Sequence, residues 1–304
     1  MLIGTHLNPD GDALGSALAL SHYLDQRGIP NEVLCHHAPP ANLEFLPGVD
    51  RIRQTPSKEH DLGVVLDLDS IERLGNTGPF FEHLPHLVVI DHHVPHEAPG
   101  DLRIVDTDAP ATAVILARLL TALGADITPQ ISTCLLTGIV TDTGSFRFRN
   151  TTAEALSISA TLLEHGGDIN LVSEEVFQRK PLSSARLLGI MLARMDIEQD
   201  DRLCYSVLEH ADFASTGSTD EDTEGFVNEL LSITTVQIAA LFREPKPGRI
   251  RVSLRSRGTY DVADVARQVG GGGHRNAAGC SFETSFEEAL ELVLPKLRIC
   301  LASS

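Results

Sequence analysis

The sequence predicts an α/β protein in which a parallel-sheet domain is followed by a smaller domain of mixed α/β structure. Apolar runs such as Leu62–Leu66 and Leu87–Ile90 are unbroken, which is typical of strands buried on both faces of a parallel sheet. Apolar-periodic helices alternate with these runs, and the alternation favours parallel strands joined by right-handed crossovers. The pattern changes near residue 195, which indicates a second domain.

The elements of the first domain are placed by their apolar runs and by the residues that begin or end a helix. Gly28 ends the first helix, Gly124 ends a later one, and Thr151 or Thr152 caps the last, with Glu154 close behind. In chain order we predict strand Leu2–Thr5, helix Ala13–Gln26, strands Glu32–Cys35, Leu62–Leu66, Leu87–Ile90 and Leu102–Val105, and helices Thr112–Leu123, Gln130–Thr141 and Thr151–His165.

The domain limits follow from the same change of pattern. We predict a first domain over residues 1–180, a linker helix over residues 181–195 and a second domain over residues 196–304. An acidic stretch, Thr219–Glu224, lies between the first two strands of the second domain. The predicted elements there are strands Leu203–Leu208, Val236–Phe242 and Ile250–Leu254, helix Val262–Val269, a glycine-rich loop over Gly270–Gly279, a strand that reaches Phe282, and helix Phe286–Leu301.

The composition indicates a globular protein without a membrane span. Hydrophobic residues make up 42% of the 304 residues, yet no apolar run reaches the roughly 18 residues of a spanning helix. The first residues, Met1–Thr5, show no leader pattern, so we expect no signal peptide. The five cysteines are scattered, which fits free thiols in a reducing cytoplasm. We therefore expect a cytoplasmic protein with no membrane partner.

The charge balance argues against a broad nucleic-acid-binding surface. The formal net charge is −18, and only four of the 24 cationic residues are lysine. The planar guanidinium group of arginine binds phosphate through two hydrogen bonds, whereas the ammonium group of lysine acts as a point charge. Several arginines crowd the C-terminal third, and we interpret them either as a small phosphate-recognition patch or as a solvated strand face. They are Arg249, Arg251, Arg255, Arg257, Arg267 and Arg275.

Four clusters of Asp and His stand where a predicted strand or helix ends. Because ligands bind at the carboxyl ends of parallel strands, we expect these side chains to share one edge of the sheet. Carboxylates and imidazoles suit divalent cations, and one bridging carboxylate can hold two metals roughly 3.5–4 Å apart. The pattern predicts a two-metal phosphoesterase. The clusters are His6 with Asp10 and Asp12, Asp67 with Asp69, Asp91 with His92 and His93, and Asp142 beside Gly144.

Simpler explanations account for parts of this pattern. An aspartate before an apolar helix is a common N-cap, which explains Asp10 or Asp12 but not His6 together with both. Asp69 could take the place of Asp67, although Asp67 lies nearer the end of its strand. The metal-binding interpretation explains all four clusters at once.

Asp91-His92-His93 offers two adjacent imidazoles. Because side chains alternate along an extended backbone, we expect one of them to bind metal and the other to face the substrate. Asp91 is then best placed to accept a hydrogen bond that orients an imidazole.

Taken together, these motifs resemble the DHH/DHHA1 phosphoesterases. Their order and spacing make the resemblance specific over essentially the whole chain. Within that superfamily the chain is most similar to the nanoRNases and 3′-phosphoadenosine 5′-phosphate phosphatases, and it also resembles the soluble cyclic di-AMP phosphodiesterases. The motifs are Asn8-Pro9-Asp10-Gly11-Asp12-Ala13-Leu14-Gly15-Ser16, Asp91-His92-His93, Thr141-Asp142-Thr143-Gly144 and Gly271-Gly272-Gly273-His274.

The resemblance implies a role for each motif. Two Mn²⁺ ions would be bridged by Asp67, with Mg²⁺ or Co²⁺ as substitutes, and His93 would contact the scissile phosphate. The first ion would be held by His6, Asp10 and Asp67, and the second by Asp12, Asp67, His92 and Asp142. The rest of the nucleotide would be bound by Arg255, Ser256, Gly271, Gly272, Gly273 and His274.

The activity implied is hydrolysis of short RNA or DNA oligonucleotides, linear dinucleotides and 3′-phosphoadenosine 5′-phosphate to mononucleotides. A cyclic di-AMP phosphodiesterase remains an alternative, and a homodimer is left open. A RecJ-type single-strand exonuclease fits less well because no added OB-fold or long basic groove is evident. An inorganic pyrophosphatase would lack the glycine-rich loop, and a catalytically silent nucleotide-binding module would not be expected to keep the whole ligand set.

Overall fold

The computed structural model of the chain describes residues 1–94 and 100–302. The chain divides into two units, residues 1–179 and residues 180–304, and the last two residues of the second lie outside the described part. Each unit has its own sheet and its own apolar core.

The first unit alternates strands with helices along the chain. Its strands are β1 (Leu2–Thr5), β2 (Glu32–Leu34), β3 (Leu62–Leu66), β4 (His86–Asp91) and β5 (Leu102–Val105). Its helices are α1 (Gly11–Gln26), α2 (Gly78–Glu82), α3 (Thr112–Ala122), α4 (Pro129–Asp142), α5 (Ala153–Glu164) and α6 (Ile169–Ser173). Short helical turns lie at Ala41–Leu43, Val49–Arg51, Ile71–Thr77 and Glu174–Gln178.

The five strands form one parallel sheet in the order β2-β1-β3-β4-β5, which confirms the predicted parallel-sheet domain. Both faces of the sheet are covered. Ile3, Leu66 and Ile90 pack towards the layer of α1, α3 and α4, whereas Val65 and Val89 pack against the side that carries α2. This two-sided burial explains why the strands are unbroken apolar runs. It also sets the carboxyl ends of β1, β3 and β4 beside one another.

Glycine lets α1 approach α4 very closely. A Cβ atom on Gly15 would lie 2.3 Å from the carbonyl oxygen of Cys134, and one on Gly11 would lie 2.4 Å from the side chain of Thr141. No real Cβ fits at such distances, so any larger residue would force the two helices apart. The contact brings the start of α1, which carries Asp12, against the end of α4, which carries Asp142.

The second unit holds a mixed sheet flanked by helices. Its strands are β6 (Asp196–Glu198), β7 (Leu203–Leu208), β8 (Ile238–Lys246), β9 (Arg249–Ser256), β10 (Gly272–His274) and β11 (Ala277–Phe282). Its helices are α7 (Leu182–Ala193), α8 (His210–Thr216), α9 (Phe226–Leu231), α10 (Val262–Arg267) and α11 (Phe286–Ala302), with a short turn at Glu221–Thr223.

This sheet has the strand order β10-β11-β9-β8-β7-β6. Only β7 and β8 run parallel to each other, and the other described neighbours are antiparallel. The mixed sheet confirms the predicted mixed α/β character. One face packs against α10 and α11, and the other packs against α7, α8 and α9 through residues such as Leu187, Phe213 and Phe226. The α7 helix, predicted as a linker, therefore contributes to the core of this unit. The domain limits at residues 180 and 195 stay a prediction.

The sequence analysis did not place β6, α8 and α9. These elements have three, seven and six residues, which is too short for apolar periodicity to emerge over a useful window. The longest helix, α11, has 17 residues and one buried face. Among the described helices, none combines the length and apolar character needed to cross a membrane.

The α1–α4 contact leads to a stability prediction. We expect Gly15→Ala to lower the free energy of unfolding by about 1–3 kcal/mol, the usual cost of overpacking a close contact. The new methyl group would meet the Cys134 carbonyl oxygen at 2.3 Å. Denaturant unfolding of the full chain measures the effect.

The matched control is Gly189→Ala, since Gly189 also lies inside a helix but has open space around its Cβ position. That change should be neutral or should stabilise by up to about 1 kcal/mol, as alanine in a helix normally does relative to glycine. Equal behaviour of the two variants would show that α1 and α4 can separate without cost.

Candidate metal centre

The carboxyl edge of the first sheet gathers the predicted Asp and His side chains. The His6, Asp67 and His92 positions follow the neighbouring strands β1, β3 and β4, while Asp12 and Asp142 are added by α1 and α4. Three groups of side chains each bring their ligand atoms within 4.8 Å of one another: His6, Asp10 and Asp67; Asp12, His92 and Asp142; and Asp67, His92 and His93.

The first group is centred on Nε2 of His6. This atom lies 3.7 Å from Oδ2 of Asp10 and 3.4 Å from Oδ2 of Asp67. The other ring nitrogen, Nδ1, is 2.8 Å from the carbonyl oxygen of Leu7, which leaves Nε2 facing the carboxylates. The Asp10 side chain also caps α1, because its Oδ1 accepts hydrogen bonds from the backbone N–H groups of Asp12 and Ala13. Capping and metal binding are therefore compatible, since they use different oxygens of Asp10.

The second group is centred on Nε2 of His92. It lies 3.2 Å from Oδ2 of Asp142, 3.5 Å from Oδ1 of Asp67 and 4.0 Å from Oδ2 of Asp12. Its Nδ1 is 3.1 Å from the carbonyl oxygen of Ala109. A carbonyl partner on one ring nitrogen holds the imidazole in the orientation and tautomer that a metal ligand requires.

Asp67 lies between the two groups. Its Oδ2 faces His6, and its Oδ1 faces His92. The backbone of Asp67 has a positive φ of 59°, a conformation uncommon outside glycine, and its N–H is held by the Ile90 carbonyl oxygen on β4. Asp69, the alternative to Asp67, instead faces Arg73 at 3.5 Å and belongs to none of the three groups among the described residues.

His93 is oriented by Asp91. Its Nδ1 lies 2.9 Å from Oδ1 of Asp91, and the same oxygen accepts the backbone N–H of His93. Both adjacent rings nevertheless approach Asp67, since Nδ1 of His93 and Nε2 of His92 each lie 3.5 Å from its Oδ1. Both rings follow the end of β4 at Asp91, where the extended backbone stops. Which of the two imidazoles binds metal stays a prediction.

The start of α3 supports the site and was missed from the sequence. The backbone N–H groups of Thr112 and Ala113 donate to the two oxygens of Asp12 at 2.6 and 2.9 Å. The Thr112 hydroxyl donates to Oδ1 of Asp67 at 3.0 Å, and Ser16 donates to Asp12. Backbone donors carry no residue signature, which explains why the sequence did not reveal them.

Crowded carboxylates dominate the electrostatics of this edge. Burial, with the charges of Asp67 and Asp142, raises the pKa of Asp12 well above its usual range. Burial also raises the pKa of Asp142 to about 6, with a contribution from Asp67 that His92 opposes. Burial lowers the pKa of His6 and of His92, but nearby carboxylates outweigh it and raise both to about 10. Without a cation, the His6 and His92 imidazoles are therefore protonated near neutral pH, and Asp12 holds a proton more readily than a free carboxyl group.

These residues fit divalent metal ions. Among the described residues, Nε2 of His92 is buried and has no hydrogen-bond partner, although three carboxylates lie around it. A bound cation would give this nitrogen a ligand role and would relieve the carboxylate repulsion. Mixed carboxylate and imidazole ligands suit ions such as Mn²⁺. The roles of the individual residues stay predictions.

The predicted substrate-binding residues lie in the second unit. Arg255 and Ser256 are consecutive on β9, so their side chains point to opposite faces of the sheet. The Ser256 hydroxyl is engaged in a turn, donating to the carbonyl oxygen of Tyr260 and accepting from Asn276. His274 is exposed at the end of β10. Their part in substrate binding stays a prediction.

The glycine-rich loop needs its glycines. A Cβ on Gly271 would lie 2.3 Å from the carbonyl oxygen of Gly279, and one on Gly273 would lie 2.5 Å from that of Ala277. Gly273 also has a φ of 134°, which side chains disfavour. Gly272, by contrast, has open space at its Cβ position.

Comparison with known proteins identifies both units. The N-terminal domain of the DHH family matches residues 1–139, and the DHHA1 domain matches residues 200–302. The chain is 33% identical over 297 residues to the bifunctional oligoribonuclease and PAP phosphatase NrnA of Thermus thermophilus, covering 97% of this chain and 88% of that protein. A protein of the same name from Bacillus subtilis is 26% identical, with 99% of this chain and 94% of that protein covered.

A solved structure shows a similar fold over the full length. The exopolyphosphatase-related protein from Bacteroides fragilis matches with a TM-score of 0.92 and 30% identity, covering 99% of this chain and 91% of that chain.

Replacement of Asp67 tests whether it joins two metal sites. We expect Asp67→Asn to weaken binding at both sites by at least roughly 10–100-fold, the loss that even outer-shell substitutions cause in metal sites. Elemental analysis after dialysis against Mn²⁺ measures the number of metal ions bound per chain. The matched control is Asp69→Asn, two residues along the same loop, which should keep wild-type metal content. Full metal content in Asp67→Asn would assign the bridge to another carboxylate.

Metal binding should release protons and strengthen as pH rises. The raised pKa values of about 10 mean that His6 and His92 carry protons near neutral pH without metal. Each must lose its proton to become a ligand, so protons compete with the cation. Titration calorimetry with Mn²⁺ in buffers of different ionisation enthalpy counts the protons released. Affinity that stayed constant between about pH 6 and pH 8, with no proton release, would contradict this assignment.

Proposed function

Because this chain belongs to the DHH family of phosphoesterases, with a DHHA1 domain in its second unit, we propose that it is a two-metal phosphodiesterase that cleaves short oligonucleotides and 3′-phosphoadenosine 5′-phosphate to mononucleotides. The relatives named as oligoribonucleases and PAP phosphatases support this substrate class, since they align over nearly the whole chain.

One observation carries the proposal. The two oxygens of Asp67 face separate groups, with His6 on one side and His92 on the other. A carboxylate placed in this way is what two neighbouring cations need as a bridge. A structural ion pair would need one partner rather than two imidazoles and three further carboxylates.

We propose Mn²⁺ for both sites. One ion would be held by His6, Asp10 and Asp67, and the other by Asp12, Asp67, His92 and Asp142. When bound, such ions supply Lewis acidity at the phosphate and lower the pKa of water towards neutrality.

The chain's own side chains orient the phosphate. Hydrogen bonding to Asp91 raises the pKa of His93, so this imidazole is protonated more readily than a free one. Nδ1 of His93 contacts Asp91, and among the described residues Nε2 has no partner, so it can donate to a phosphate oxygen, where a charge-assisted hydrogen bond is strong. His93 would stabilise negative charge on the reacting phosphate, and Asp91 would position it.

The second unit would bind the rest of the nucleotide. We assign this role to Arg255, Ser256 and the loop from Gly271 to His274, with backbone N–H groups of the loop close to an anion. Binding energy from this remote part positions the reacting phosphate, so recognition and rate are coupled.

Two further expectations accompany this function. We place the protein in the cytoplasm, since the described part of the chain forms no disulfide bond and thiols suit a reducing compartment. A homodimer stays a prediction, which size-exclusion chromatography with light scattering would test.

Turnover with Mn²⁺ tests the proposed function. We expect the full chain to hydrolyse a two-nucleotide RNA and 3′-phosphoadenosine 5′-phosphate, and to lose both activities on removal of metal by a chelator. Rates should fall steeply from a dinucleotide to a strand of about twenty nucleotides, longer than the roughly 4–16 nucleotides a single OB fold covers. Product formation followed by chromatography measures each rate.

Any result other than the expected one would indicate a different function. Equal or faster cleavage of the long strand would favour a RecJ-type exonuclease, and preference for cyclic di-AMP would favour a cyclic dinucleotide phosphodiesterase. Absence of Mn²⁺-dependent turnover with these substrates and with bis-p-nitrophenyl phosphate would favour a silent binding module. The Asp67→Asn variant serves as the inactive control.

A further inference from the structure

Two adjacent histidines follow β2, the strand beside β1 in the first sheet. Among the described residues, His36 and His37 belong to none of the three groups of ligand side chains. Each ring nevertheless accepts a hydrogen bond from the backbone of a different loop. Nδ1 of His37 accepts the N–H of Asn8 at 3.0 Å, and Nδ1 of His36 accepts the N–H of Asn76 at 2.8 Å. The proposed chemistry uses neither imidazole.

These two contacts fix the state and the orientation of both rings. A backbone N–H can only donate, so Nδ1 of each ring is the unprotonated acceptor and the ring proton lies on Nε2. The rings of His36 and His37 also pack edge to face, with their centroids 4.2 Å apart and an interplanar angle of 80°. Each ring therefore limits the rotation of the other, although His37 is exposed.

The residue that His37 holds has a strained backbone. Asn8 has a φ of 53°, in the left-handed region that asparagine tolerates better than most residues. It also precedes Pro9, and the residue before a proline favours extended backbone. Such a conformation persists only when surrounding contacts hold it.

Few contacts hold this loop. The N–H of Leu7 donates to the carbonyl oxygen of Arg73 at 2.6 Å, the N–H of Asn8 donates to His37, and Pro9 has no N–H. In the part of the chain that the structure describes, His37 is thus the only side chain that accepts a backbone N–H from residues 7–9.

The same loop separates two members of the first ligand group. His6 precedes it and Asp10 follows it, and Nε2 of His6 lies 3.7 Å from Oδ2 of Asp10. The His6 side chain is buried, whereas that of Asp10 is 54% exposed. The position of Asp10 relative to His6 therefore depends on the path of the backbone through Asn8.

We propose that His37 is a positioning residue for the metal site formed by His6, Asp10 and Asp67. It acts through Asn8, whose backbone it holds, and so keeps His6 and Asp10 close enough together to bind one cation. The inference rests on the proposed function and extends it to a residue that lies outside the four Asp and His clusters.

Two variants of His37 separate its hydrogen bond from its bulk. His37→Leu removes the acceptor but keeps an apolar side chain of comparable reach, whereas His37→Asn keeps an acceptor oxygen near the position of Nδ1. Mn²⁺ is titrated into the metal-free full chain, and electron paramagnetic resonance of the free ion gives the Kd of each site. We expect His37→Leu to weaken one site about tenfold, the smaller end of what loss of a supporting contact costs a metal site, and to leave the other unchanged. His37→Asn should retain wild-type binding at both sites.

The matched control is His36→Leu. It loses the same kind of hydrogen bond, but to Asn76, which lies in a turn that contributes no member of the three groups among the described residues. We expect this variant to keep wild-type affinity at both sites. Thermal unfolding of each variant shows that it is folded.

Three results would overturn the proposal. The first is wild-type affinity at both sites in His37→Leu, and the second is the same loss in His37→Asn as in His37→Leu. The third is an equal loss in His36→Leu, since general packing of these loops would then set the site.

The test measures binding and not turnover, so it can fail separately from the proposed function. A wild-type chain that binds two Mn²⁺ ions but cleaves none of the proposed substrates would overturn the proposed function, whereas a loss at one site in His37→Leu would still support the role of His37. A wild-type chain that binds no Mn²⁺ would overturn both.

Discussion

The buried carboxylate of Asp12 connects the elements on which the first unit depends. It projects from α1, and both of its oxygens accept backbone N–H groups at the start of α3. A Cβ on Gly138 of α4 would lie 2.6 Å from its Oδ1, so only glycine leaves room for it. Its Oδ2 also faces His92, which follows β4. A single buried carboxyl group thus contacts three helices at the sheet edge, and burying it requires these donors.

The same crowding that orders this edge favours a bound cation. Asp12, Asp67 and Asp142 lie around one imidazole, where repulsion and burial raise the pKa values of Asp12 and Asp142. Backbone donors satisfy Asp12 but cannot neutralise the whole group. A bound cation would offset the repulsion among these buried carboxylates. Metal binding would therefore be coupled to the order of the site.

The second unit concentrates positive charge, whereas the metal-binding edge of the first unit concentrates negative charge. It belongs to a chain with a net charge of −18, yet one face of its sheet concentrates arginines around a single aspartate. The acidic stretch predicted between two strands provides that aspartate, Asp220. The local charge at this face therefore differs in sign from the net charge of the chain, and solvent and salt screen the more distant charges.

The sequence by itself determined the fold class and predicted the residues of the candidate metal centre. Unbroken apolar runs identified β3 and β4, because strands buried on both faces have no polar positions, and the Asp and His clusters followed those runs. Asp67 was preferred to Asp69 on position alone, and Asp69 instead pairs with Arg73. The glycine-rich loop was likewise visible as a pattern.

Only the tertiary structure decided which atoms meet. The support from Thr112 and Ala113 is made partly by backbone N–H groups, which every residue except proline possesses, so no sequence pattern marks it. The convergence of His92 and His93 on Asp67 depends on where β4 ends, and the pairing of Arg243 with Arg251 depends on strand register. A sequence records which groups are present, whereas their distances are set by long-range packing between segments far apart along the chain.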